Sequence, residues 1–146
     1  MNYSRRDIAT LLPLLAAQAA HAQNAQAPKR DEPLAAKAYK YEDLPVKTNG
    51  ANQTRAVFDG TTHSGYHIDL HMTELGPGQQ PHPPYSHVHE EILMLRTGQL
   101  DVTLGSQTSR IDAGSVVITQ SNQEHGWRNP GPGAAEYFVM AVGRDS

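Results

Sequence analysis

The stretch Tyr85-Ser86-His87-Val88-His89-Glu90-Glu91-Ile92-Leu93-Met94-Leu95-Arg96-Thr97-Gly98 passes from metal-ligand residue types into a short apolar run and stops at a glycine. Four apolar residues in a row, bounded by charge before and a turn residue after, read as a buried strand. Apolar side chains on both faces of Ile92–Leu95 require a layer over each face. The outer layer is either the N-terminal strands of the same chain or a second subunit, and a homodimer is the expected partner. If residues 85 to 91 are extended, Tyr85, His87, His89 and Glu91 share one face.

Outward from this stretch the pattern stays short and alternating. Tyr66–Thr73 places Tyr66, Ile68, Leu70 and Met72 on one face and His67, Asp69, His71 and Thr73 on the other. The second set, with His63 nearby, reads as a polar, solvated outer face. Gly76-Pro77-Gly78 ends that strand. Leu100–Leu104, a Gly105-Ser106-Gln107 turn and Thr108–Ile111 form a hairpin. Further strands are expected at Ser115–Thr119 and Glu136–Val142. Many short strands and no long helical pattern predict an all-β sandwich or barrel.

The chain has 146 residues, enough for one domain with one core. It has no cysteine, so neither disulfides nor thiolate ligands are available. A net charge of −3 argues against nucleic acid or an anionic membrane surface as partner. Arg5-Arg6 precede an apolar run that ends at Ala20-His21-Ala22, a small-x-small site. The run is shorter than the ~20 residues of a membrane span. Residues 1–22 are therefore expected to be a signal peptide of twin-arginine type, with a periplasmic destination. Residues 23–45 are expected to be a leader, with a short helix over Glu32–Tyr41, and residues 46–146 the barrel domain.

His87, Glu91 and His125 are the candidate ligands of one divalent metal, because imidazole and carboxylate are its usual donors in such sites. Tyr85 could coordinate as phenolate or donate a hydrogen bond. His82, in Pro81-His82-Pro83-Pro84, and His89 are further candidates. Tyr85 and Glu91 are the candidate proton-handling groups. Trp127 and Tyr137 are expected in the core, with Trp127 close enough to His125 to line a pocket. Asn129 is expected to satisfy backbone groups in a turn.

At these residues the sequence resembles the cupin superfamily. The first motif of that family has six residues between a Glu and a Gly, as between Glu91 and Gly98 here, and a His at the position of His87. The second motif is matched by Gly114, His125 and Asn129. Its Pro and Gly fall on Gln120 and Asn122, and Asn tolerates the left-handed turn conformation. The first histidine of the first motif falls on Tyr85. The resemblance implies a single-domain jelly-roll β-barrel with a metal on its inner wall. The metal would be a divalent transition ion, with Fe or Mn favoured over Zn, Ni or Cu. A set of two His and one carboxylate is typical of non-haem iron oxygenases, so an oxygenase acting on a small molecule is the leading expectation. A metal-dependent isomerase, epimerase or lyase on a sugar-like compound, or a non-catalytic small-ligand or metal-binding barrel, are the alternatives.

Overall fold

A computed structural model describes residues 32–143, within the second of two compact units, Glu32–Ser146. The expected signal peptide lies outside the described residues. Nine strands follow one 3-10 turn, η1 (Tyr41–Asp43): β1 (Val46–Asn49), β2 (Asn52–Thr61), β3 (His67–Leu75), β4 (Glu90–Thr97), β5 (Gln99–Leu104), β6 (Gln107–Asp112), β7 (Val116–Thr119), β8 (His125–Arg128) and β9 (Ala135–Gly143). They form a six-stranded sheet, β1-β2-β3-β9-β4-β7, and a three-stranded sheet, β6-β5-β8. The all-β expectation holds, and no described helix is long and apolar enough to cross a membrane.

The two sheets face each other across one core. Leu93 and Leu95 of β4, and Tyr137 and Val139 of β9, pack against Leu100 and Val102 of β5 and Trp127 of β8. Trp127 Nε1 donates to the Tyr137 hydroxyl at 2.8 Å, so the largest core aromatics bring a satisfied polar pair with them. Burial pushes the Tyr137 phenol well above its ordinary value.

Turn chemistry follows the sequence. Gly105 and Gly114 adopt φ of 57° and 89° at the ends of the β5–β6 hairpin. Gly98 has φ 80°, and a Cβ there would lie 2.8 Å from the Ala134 carbonyl oxygen, so no larger residue fits. Asn122, with φ 61°, is the one non-glycine residue of positive φ among those described.

Three expectations are corrected. Residues 32–40 form no helix. They lack an apolar stripe, and the Leu34 N–H instead donates to the Thr61 carbonyl at 2.8 Å, so tertiary contact outweighs the alanines' propensity. The faces of β3 are the reverse of the reading from alternation. Thr73 and Leu75 pair with Tyr137 and Ala135 of the core, so His67, Asp69 and His71 point inward with them. Leu70 and Met72 lie on the outer face, where Leu70 pairs with Phe58 and Tyr39 packs on Phe58 at 5.6 Å. Finally, β1 and β2 extend the β3 edge of the sheet and do not cover β4. The outer face of β4 and β7 stays open, with Val116 and Ile118 65% and 62% exposed.

Candidate functional site

Two segments far apart in sequence meet at the open end of the core. Tyr85 and His125 exchange backbone hydrogen bonds of 3.1 and 3.0 Å. The Asn122 N–H donates to the His87 carbonyl at 2.7 Å. The left-handed turn at Asn122 is what presents that N–H, so this residue takes the place of a turn glycine as expected. Residues 85 to 91 are not one continuous extended strand. Val88 and His89 form a bend and β4 begins at Glu90, so His87 and Glu91 meet as i and i+4, with His87 Nε2 3.2 Å from Glu91 Oε1.

His125 is fully buried. Its Nδ1 lies 2.7 Å from the Gln123 carbonyl oxygen, which can only accept, so Nδ1 carries a proton. In the neutral ring Nε2 then holds a lone pair, and it faces Glu91 Oε2 at 3.2 Å. Two lone pairs face each other unless a proton or a cation lies between them. His87 is the complementary case. Its two ring nitrogens are buried and neither has a hydrogen-bond partner. The 3.2 Å approach to Glu91 is therefore an ion-pair distance without hydrogen-bond alignment. One ligand atom from each of His87, Glu91 and His125 lies within 4.8 Å of the others, the one such group among the described residues. A divalent ion would satisfy all three at once.

Around this group, Trp127 stacks on His125 at 5.8 Å and 28°, closing the site from the core side. Tyr85 packs against His87 and His125, with ring centroids at 5.2 and 5.7 Å. Its phenol is pushed above its ordinary value, first by burial and then by the Glu91 carboxylate. His82 stands edge-on to Tyr85 at 4.4 Å, with Nδ1 2.9 Å from the Pro83 carbonyl oxygen. Neither His82 nor His89 joins the three-residue group. His63 is exposed in a turn, as expected. Asn129 behaves as expected too. Its amide donates to the carbonyls of Leu75, Gly76 and Gly133 at 2.9, 3.1 and 2.8 Å, and its Oδ1 accepts from Gly131 N–H at 2.9 Å.

Two features were not read from the sequence. One is the inward set His67, Asp69 and His71, hidden because alternation does not say which face is inside. The other is a pocket of about 290 Å³ at the edges of β6 and β7, lined by apolar side chains such as Val102, Leu104, Ile111 and Val117 and by the polar Gln107 and Ser109.

Residues 71–141 match the Cupin_2 family, described as a cupin domain. No curated protein matches the sequence. Among solved structures, KdgF from a Halomonas species aligns with TM-score 0.63 at 15% identity, over 76% of this chain and 97% of that one. The polyketide cyclase RemF from Streptomyces resistomycificus aligns with TM-score 0.62 at 16% identity, over 74% and 80%. An RmlC-like cupin from Shewanella frigidimarina aligns with TM-score 0.61 at 13% identity, over 73% and 91%. At these identities the likeness is one of fold. The class is thus a single-domain cupin-type β-barrel, and the domain match supports the cupin superfamily.

Proposed function

We propose that this protein is an exported cupin that binds one divalent transition metal through His87, Glu91 and His125 and acts on a small organic molecule. The observation that carries the reading is the pair of unpartnered, buried ring nitrogens of His87 beside a lone pair of His125 aimed at Glu91. Buried polar groups are rarely left this way unless something absent satisfies them.

When bound, the metal supplies a Lewis acid with open coordination positions. The chain's own residues do the rest. His125 is held in one tautomer by the Gln123 carbonyl. Trp127 and the Tyr85 ring limit water around the imidazoles. Tyr85 brings a phenol that can donate a hydrogen bond to a ligand, and Glu91 is the carboxylate placed to accept a proton. Two imidazoles and one carboxylate leave room for both a co-substrate and a substrate, which favours an oxygenase with Fe(II). Export through a twin-arginine signal fits a cofactor-loaded protein. The open outer face of β4 and β7 is covered, in this reading, by the same face of a second copy.

Elemental analysis of protein recovered from the periplasm tests the reading. Close to one equivalent of a transition metal is expected, and oxygen uptake with substrate if the metal is iron. Less than about a tenth of an equivalent of every transition metal, with none taken up on addition, rejects it.

A further inference from the structure

The inner face of the large sheet does not end at the metal-ligand group. Glu91 pairs with Ala141, and Ala141 pairs with Asp69 on its other side. Asp69 in turn pairs with Asp59 of β2. Directly paired residues share a face, so Glu91, Ala141, Asp69 and Asp59 form one row across the sheet. Neighbouring strands lie about 4.8 Å apart, so Glu91 and Asp69 stand about 10 Å apart with only a methyl group between them. Two imidazoles flank the row. His71 Nδ1 lies 2.9 Å from Asp69 Oδ1, and His67 Nε2 lies 2.8 Å from Asp59 Oδ1. His89 joins this wall to the other group, at 6.3 Å from the His67 ring and 6.1 Å from the His87 ring. It can lie there because Gly143 has no side chain, since a Cβ at that position would run into the His89 ring.

We propose that Asp59, His67, Asp69 and His71 form the second half of the ligand pocket and hold the hydroxylated end of a small α-hydroxy acid. This rests on the metal reading above, because the acid end is assigned to the metal. There, two neutral imidazoles and one carboxylate leave a divalent ion with one positive charge, which an anionic donor complements. The far wall has a different chemistry. Two carboxylates in one row repel a second anion, whereas the carboxylate and the remaining ring nitrogen of each neutral Asp–His pair both accept hydrogen bonds. A hydroxyl carries an O–H that can donate to these acceptors, so it matches each pair. A flexible chain of five or six carbons bridges the two halves.

The test compares ligands that share one metal-binding head and differ in the tail. Zn(II)-loaded protein is titrated calorimetrically with glycolate, gluconate and 2-hydroxyhexanoate. Gluconate should bind at least tenfold more tightly than glycolate. His71→Ala and Asp69→Asn should each cut that ratio at least fivefold and leave glycolate binding unchanged. His71→Gln, which keeps a hydrogen-bonding group, should retain part of it, and thermal melts check that each variant is folded. An unchanged ratio in folded variants overturns the proposal while leaving the metal reading intact. Tighter binding of 2-hydroxyhexanoate than gluconate also overturns it, because the tail then prefers apolar surroundings. Failure of the protein to take up Zn(II), Fe(II) or any other divalent transition metal rejects the metal reading itself.

Discussion

His125 Nε2 faces Glu91 Oε2 at 3.2 Å while its other ring nitrogen is committed to the Gln123 carbonyl. The arrangement is unfavourable without a cation or proton between the two, so metal occupancy should stabilise the fold. A ligand present at a hundred times its dissociation constant adds about 2.7 kcal/mol to folding stability. A chelator should therefore lower the melting temperature by several degrees, and added metal should restore it. His125→Ala should lose the metal and the chelator response together, read by elemental analysis and calorimetry.

Tyr85 packs on the rings of His87 and His125, and both burial and Glu91 hold its proton on. Tyr85→Phe should leave metal stoichiometry unchanged and show no loss of a phenolate charge-transfer band in the Fe(III) form. Tyr85→His should tighten metal binding by about tenfold or more, since a third imidazole becomes available as a fourth ligand. A visible band that disappears in Tyr85→Phe would show instead that the phenol coordinates.

Asn129 is almost fully buried and donates to three backbone carbonyls. Asn129→Ala leaves those acceptors without their partner, which costs about 1–3 kcal/mol for a buried group and more where several are affected. Chemical denaturation should show a fall of about 2–4 kcal/mol with an unchanged m-value.

Tyr137 gives a pH dependence of known sign. Its phenol is raised in the folded state, mainly by burial, against an ordinary value of about 10. Below that value both states keep the proton and the contribution to stability is complete. As pH rises above about 10 the unfolded chain loses the proton more readily, so stability falls with pH. Tyr137→Phe should flatten this alkaline decline, while costing stability at neutral pH through the lost acceptor for Trp127 Nε1.

Val116 and Ile118 are exposed on the edge strand β7, beside Met94 of β4. Sedimentation should give a dimer for the native chain and a monomer for Ile118→Asp. A native chain that is monomeric at tens of micromolar would reject the second-copy reading.

The sequence displayed the strand spacing and the three metal-ligand candidates because both depend on local intervals. Glu91 to Gly98 and Gly114 through His125 to Asn129 each span only a few turns of chain. What it concealed depends on which side of a sheet faces in. Tyr66–Thr73 alternates cleanly, yet the apolar set is outside, where Tyr39 and Phe58 shelter it, and the His and Asp set is inside. A polar pocket lining and a solvated face look the same in one dimension. The ten-residue strand β2 was hidden for a related reason. Its Asn, Asp, Gly and Ala residues carry weak strand propensity, and it is the hairpin with β1 and the ladder to β3 that hold it.

The position of β9 has a consequence for how the chain comes to be folded. It lies between β3 and β4 in the large sheet, although it follows both by many residues. During synthesis the ribosome can release β1–β2–β3 and the β4–β7 pair as separate pieces, but these cannot be joined into one sheet until Ala135–Gly143 has emerged. Closure is a late, non-local event, so the nascent chain must pass through a stage with unfilled strand edges.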